Sequence, residues 1–190
     1  MDYFSSDFHL GHYNIMKYCN RPFSSVREMD ETIINNINAL VLPDDTLYCL
    51  GDFIFKNAQR VPAYRDRINC KNIILIRGNH DPRKRGNPHP VLFKSFNSVH
   101  DMLQITDNYN GKTIDIIMCH YAMRTWNKSH YGSISLYGHS HGTLFDDSNL
   151  LSMDVGVDCH NFKPITLDQI MEHMAKKNLR PINDHKNKPE

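Results

Sequence analysis

Five short clusters of potential ligands punctuate residues 7–141: Asp7-Phe8-His9, Gly51-Asp52, Gly78-Asn79-His80-Asp81, His120, and Gly138-His139-Ser140-His141. Carboxylate oxygen and neutral imidazole suit divalent transition ions such as manganese, iron or zinc, and the absence of cysteine from these motifs argues against a structural thiolate site. Twelve histidines among 190 residues, several beside Asp, Asn or Gly, point the same way. Taken singly, an Asp-x-His is an ordinary surface loop and a Gly-Asp an ordinary turn. The weight lies in their shared position, because each begins where an apolar or β-branched run stops. In sheet-based α/β proteins, loops converge on the crevice beyond the strand ends, so five loops can face one point. Gly51, Gly78 and Gly138 are expected to let the chain leave its strands sharply, through dihedrals that side chains resist.

The elements that must carry these loops are legible in outline. Residues 26–42 place Met29, Ile33, Ile37 and Leu40 at helical spacing, with Ser25 and Glu28 as a capping box. Runs at 46–50, 73–77, 114–119 and 133–137 read as strands. A further strand is expected at 99–106, turning through Asn110-Gly111 into an antiparallel partner, since Asn-Gly supplies the positive dihedrals of a tight hairpin. Residues 150–157 read as another strand, and Thr166 with Gln169 caps a last helix reaching about residue 177. A helix at 57–68 requires Pro62 to sit in its first turn. Strands alternating with helices, plus one hairpin, predict an α/β fold with mixed sheets. The length is that of one domain, read as residues 1–180, with 181–190 a polar, flexible tail.

Composition is ordinary, at 40% hydrophobic and 23% charged, and the formal net charge of +1 gives no broad footprint for nucleic acid or an acidic membrane. No apolar run is long enough to span a bilayer, and no basic-then-apolar signal precedes the first strand, so a cytoplasmic location and no membrane partner are expected. The five cysteines are scattered, odd in number and never paired as Cys-x-x-Cys, which reads as reduced thiols.

In this order, the set Asp-x-His, Gly-Asp, Gly-Asn-His-Asp, His, Gly-His-x-His resembles the calcineurin-like metallophosphoesterase superfamily. The surrounding text, including His9-Leu10-Gly11-His12, the stretch from Tyr18 to Phe23 and that from Trp126 to Gly132, is similar to a small bacterial and phage branch of it. The resemblance implies an α/β/β/α four-layer sandwich of two mixed sheets. It also implies two divalent ions, manganese foremost, with iron, zinc, nickel or cobalt as alternatives. Asp7, His9, Asp52 and His141 would hold the first ion, and Asp52, Asn79, His120 and His139 the second, with Asp52 bridging. Two ions about 3.5–4 Å apart can share a hydroxide and neutralise phosphate oxygens during in-line attack. His80 matches a histidine near substrate that is not a ligand, and is assigned as proton donor to the leaving group, with Asp81 orienting it.

Other residues have weaker standing. His12 and Asn14 are candidates for substrate contact or for helix capping. Arg124 with Trp126 could clamp a phosphate and stack on a base, though an exposed Arg and a buried Trp is the simpler reading. Arg83, with Lys84 and Arg85, could draw a polyanion to the rim, against the simpler reading of a solvated charge run. The phosphatases of the superfamily that act on phosphoproteins carry Asp-Arg-Gly after Gly-Asp and Glu at the end of the third motif. Here Phe53-Ile54-Phe55 and Asp81 stand instead, which disfavours such substrates. The expected activity is therefore hydrolysis of a phosphomonoester or phosphodiester: a small nucleotide, a cyclic phosphate or a nucleic-acid end. A catalytically silent metal-dependent interaction module and a nuclease remain the alternatives, with nucleic acid not favoured. Oligomeric state is not legible.

Overall fold

The computed structural model describes residues 1–180; the expected tail at 181–190 lies outside the described residues. The chain opens with β1 (Asp2–Ser5), α1 (Tyr13–Tyr18), α2 (Val26–Leu40), β2 (Thr46–Cys49), α3 (Val61–Arg65) and β3 (Asn72–Ile76). A two-residue-stranded hairpin follows, β4 (Arg83–Lys84) and β5 (Asn87–Pro88), then α4 (Pro90–Ser95) and β6 (Ser98–His100). The remainder is β7 (Met102–Tyr109), β8 (Lys112–Cys119), β9 (Ile134–Tyr137), β10 (Ser152–Asp154), β11 (Ile165–Thr166) and α5 (Leu167–Met174).

Two mixed sheets result. The first has the order β11-β1-β2-β3-β6, with β1, β2, β3 and β6 parallel and β11 antiparallel at the edge. The second has the order β10-β9-β8-β7, parallel except for the β7–β8 hairpin. This is the mixed two-sheet α/β architecture that the family resemblance implies.

Strand alternation decides which core each residue enters. Tyr3, Leu47, Cys49, Ile73 and Leu75 face the helices, where Met29, Ile33 and Ile37 of α2 are fully buried against them. Burial of such a side chain stabilises by roughly 1.5–3 kcal/mol. Phe4, Tyr48, Leu50 and Ile76 point the other way and meet Ile116, Met118, Ile134 and Leu136 of the second sheet. Ile170 and Met174 of α5 join that inter-sheet core. Across the outer face of the second sheet lies the 121–133 loop, where Asn127 donates to Gln104 at 2.9 Å and Lys128 pairs with Asp115 at 2.7 Å.

Several local expectations are met with adjustments. Ser25 caps α2 by accepting from the Glu28 N–H at 3.1 Å, but the Glu28 carboxylate reaches back to Ser24 rather than Ser25. Thr166 and Gln169 form the full capping box of α5. Pro62 does fall in the first turn of α3, behind a 3-10 turn at Ala58–Arg60. Asn110 and Gly111 have φ of 52° and 77° and close the β7–β8 hairpin.

The strand expected at 99–106 is instead two strands in different sheets. Val99 extends β6 in the first sheet, and after Asp101 the chain enters β7 of the second. Periodicity of two carries through both, so the pattern cannot show the crossing. Asp101 at the bend pairs with Arg77, which follows β3.

Candidate metal centre

The parallel strands β1, β2 and β3 release their chains at one end of the first sheet, and β8 and β9 release theirs at the neighbouring end of the second. Backbone pairing continues past the strands: Asp7 N–H donates to Gly51 O at 3.0 Å, and His9 N–H to Asp52 O at 2.8 Å. Five of the seven expected ligands, Asp7, His9, Asp52, His139 and His141, hold left-handed φ between 48° and 68°. Non-glycine residues rarely adopt this region, and clusters of them mark places where the surroundings enforce a conformation for function.

The reason expected for the three glycines holds only for Gly51, at φ 98°. Gly78 and Gly138 have no positive φ and are needed for room. A Cβ on Gly78 would overlap the Asp52 carboxylate, and one on Gly138 would overlap Ser6 and the Asp7 carboxylate.

Asp52 occupies the middle. Its Oδ2 lies 3.4 Å from His9 Nε2 and 3.5 Å from His120 Nε2. Asp7 Oδ1 stands 3.9 Å from both His9 Nε2 and His141 Nε2. Asp7, His9 and His141 form one tight group of donors, and Asp7, Asp52 and His120 a second. The Asn79 side-chain oxygen is 3.1 Å from His120 Nε2. The His139 ring sits 5.1 Å from that of His120, at the exposed edge of the site, while its backbone N–H donates to Asp7 Oδ2 at 2.9 Å.

This arrangement could hold a cation. His120 Nδ1–H is committed to the Leu50 carbonyl at 2.7 Å, and His141 Nδ1–H to Asp158 at 2.7 Å. In each ring Nε2 therefore presents its lone pair inward, toward carboxylate oxygens that also offer only lone pairs. Asp7 Oδ1 and His9 Nε2 are buried with no hydrogen-bond partner, an arrangement that is costly unless a cation satisfies both.

The buried charges perturb one another strongly. Burial pushes Asp7 up to about 7, and burial with the neighbouring Asp81 and Asp7 charges pushes Asp52 up to about 8. Burial lowers His120 to about 4 and His9 well below its ordinary value. His141 goes the other way: burial alone would lower it, but hydrogen bonds to Asp158 and Cys19 outweigh that and raise it to about 10.

Two supporting residues went unassigned in the sequence. Arg21 grips both oxygens of Asp158 at 2.8 Å and also donates to the carbonyls of Asp7, at 2.7 Å, and Phe8, at 3.1 Å. It thereby ties the Asp7 loop to the residue that orients His141. Arg21 lies in the Tyr18–Phe23 stretch noted in the sequence, but nothing local assigns it a role or points to Asp158, 137 positions away.

The expected contact between Asp81 and His80 is corrected. The buried Asp81 carboxylate accepts from the backbone N–H groups of Gly78 at 2.7 Å and of Asp52 and Phe53 at 3.0 Å, stapling two ligand loops together. It makes no hydrogen bond to the His80 ring, whose Nδ1 is buried without a partner. His80 lines the cleft, and its backbone N–H donates to Asp52 Oδ1 at 2.8 Å.

The cleft over the centre has a volume of about 510 Å³ and includes His12, Asn14, Tyr18, Phe55, Lys56 and His80 in its walls. His12 begins α1 but makes no side-chain cap; its ring instead stacks on Phe55 at 3.7 Å. Arg83 and Arg124 are exposed and do not line the cleft. Trp126 is buried, donating to the Ser133 carbonyl at 3.1 Å, so it is no platform for a base.

A two-sheet α/β sandwich gathers Asp, Asn and His side chains from five strand ends, a donor set suited to divalent metal. The profile of the calcineurin-like phosphoesterases matches residues 3–188, and the chain belongs to that family. It is 36% identical to an uncharacterised protein of Methanocaldococcus jannaschii, over 96% of each chain. It is also 24% identical to the gene 66 protein of Mycobacterium phage L5, over 82% of this chain and 86% of that one. A protein of unknown function from Aquifex aeolicus shares the fold, with a TM-score of 0.64 at 22% identity, covering 91% of this chain and 98% of that one. Metal-dependent phosphoester hydrolysis is the chemistry of the family, and the donor set fits it. Among the described residues no helix is long and apolar enough to cross a membrane.

Proposed function

We propose that the protein hydrolyses a phosphate ester at a binuclear centre, with Asp7, His9, Asp52 and His141 holding one divalent ion and Asp52, Asn79, His120 and His139 the other. The observation that carries this reading is the position of Asp52 Oδ2, flanked by His9 Nε2 at 3.4 Å and His120 Nε2 at 3.5 Å. One carboxylate with an imidazole on either side is what two neighbouring cations require of a shared ligand. Ions so held supply a nucleophile from water at neutral pH and neutralise charge on the phosphoryl group.

The chain's own residues do the rest. Arg21 and Asp81 hold the ligand loops in register through the hydrogen bonds described above. His80 faces the cleft and is assigned the proton delivered to the leaving oxygen. Burial, with Lys56 and neighbouring imidazoles, lowers its pKa. A phosphoryl anion in the cleft offsets that shift, since a negative charge within about 4–6 Å favours the imidazolium. Among the described residues Lys56 is the one Lys or Arg in the cleft wall, and it supplies a positive rim for the ester.

The substrate is a phosphomonoester or phosphodiester of a nucleotide-like molecule. The test is to strip the metal, restore manganese, and compare hydrolysis of p-nitrophenyl phosphate with that of the bis-p-nitrophenyl diester, with Asp52→Asn as control. Metal-dependent turnover that disappears in the control supports the reading. Two bound ions with no turnover of either ester would overturn it in favour of the silent interaction module.

A further inference from the structure

The near-neutral net charge conceals an uneven distribution. Residues 55–59, His89 and Val91 line a groove of about 780 Å³ beside the metal cleft. The stretches around them, 53–65 and 82–100, contain Lys56, Arg60 and Arg65 in the first and Arg83, Lys84, Arg85 and Lys94 in the second, of which Lys56 alone among the described residues lines the groove itself. These are seven of the chain's 22 basic residues, and neither stretch holds any of its 21 acidic ones. The groove is lined by Phe55, Lys56, Asn57, Gln59, His89 and Val91, among others. Phe55 and Lys56 also line the metal cleft, so the two hollows adjoin.

The β4–β5 hairpin rises from the groove's rim. Its base is closed by the His89 N–H donating to the Pro82 carbonyl at 2.9 Å, and His89 itself lines the groove. Arg85 and Gly86, at φ 53° and 82°, make the turn. Arg83, Lys84 and Arg85 are all exposed, and none forms an ion pair among the described residues. Three exposed cations with no ion-pair partner among the described residues, beside a groove that adjoins a phosphoesterase cleft and carries the His89 imidazole in its wall, match single-stranded nucleic acid: phosphates for the cations, a base face for the imidazole.

We propose that the substrate is the end of a single-stranded nucleic acid, its scissile phosphate in the metal cleft, the adjoining nucleotide in the groove and further phosphates on the β4–β5 hairpin. This deepens the phosphoesterase reading and rests on it for the cleavage, but not for the binding.

The test is fluorescence anisotropy of a labelled single-stranded oligonucleotide on the full chain. Asp52→Asn serves as background to prevent cleavage, and binding is followed across a range of NaCl concentrations. Replacing Arg83, Lys84 and Arg85 together with Ala should weaken binding and flatten the slope of log Kd against log salt by about 2, since each single-strand phosphate contact contributes roughly 0.7. The hairpin is exposed, so an unchanged melting temperature would show that the triple variant is folded. Inorganic polyphosphate of matched charge should compete at least about tenfold more weakly than unlabelled oligonucleotide, because it offers no bases to stack. An equal salt slope in the two proteins, an absence of binding at low salt, or equal competition by polyphosphate would each overturn the proposal. Turnover of the small diester without salt-dependent oligonucleotide binding would overturn it while leaving the phosphoesterase reading intact. Binding without turnover of any ester would do the reverse, overturning the cleavage and keeping the groove.

Discussion

Arg21 and Asp158 are joined by a two-pronged ion pair, Nε to Oδ1 and Nη2 to Oδ2, each at 2.8 Å, and Asp158 passes the constraint on to His141 through a 2.7 Å hydrogen bond. Both partners are buried in side chain, Arg21 completely and Asp158 at 8% exposure. Removing one partner leaves a buried charge unmatched, a loss of about 3–5 kcal/mol. Arg21→Ala should therefore unfold at markedly lower denaturant concentration than the parent. Asp158→Asn, which keeps the shape, should instead weaken binding of one of the two ions by about 10–100-fold, as for other partners of metal-ligating histidines. A manganese titration in which neither ion is weakened would refute the orienting role.

Gly78 is the position where Asp52 and the third motif touch. In Gly78→Ala the added methyl overlaps the Asp52 carboxylate. Overpacking of this kind costs about 1–3 kcal/mol. Because the strain falls on the carboxylate proposed to serve both ions, manganese content should drop more than stability does, as measured by metal analysis beside thermal melting.

His80→Ala should keep both ions, since the His80 ring is absent from both donor groups and only its backbone N–H touches Asp52. Turnover of an ester with a poor leaving group should fall by about 10²–10⁴-fold, the usual contribution of a positioned proton donor. Esters with good leaving groups, which need little protonation, should be affected less. Equal losses for both types would argue that His80 positions rather than donates.

Metal removal should make stability pH-sensitive above pH 6.5. Asp7, raised to about 7 by burial, and Asp52, raised to about 8 by burial and the nearby carboxylates, keep protons in the folded state that the unfolded state has released. His141, near 10 through Asp158 and Cys19 despite its burial, behaves likewise. Where the folded state binds more protons, stability falls as pH rises. The metal-stripped protein should melt lower at pH 8.5 than at pH 6.5, and the gain on adding manganese should be larger at pH 8.5. Melting curves in chelator that do not move between these pH values would contradict the assignment.

Much of this was legible because it is local. The capping box of α5, the Asn110-Gly111 turn and the alternation that sends Leu47 outward and Tyr48 inward are written in neighbouring residues. So was the strand-end placement of the seven proposed ligands, since a motif at the end of a strand carries its own position. What the tertiary structure alone decided is pairing between distant segments and the division of one pattern between two sheets. Val99 and Leu103 share an alternation of period two but lie in different sheets, because the chain crosses at Asp101. Asp81 reads as a partner for the adjacent His80, yet its carboxylate is drawn to the backbone N–H groups of Asp52 and Phe53, which only the parallel packing of the loops brings near. Arg21 and Asp158 carry no local signal, because a buried ion pair is specified by where two loops meet and not by what stands beside either residue in the chain.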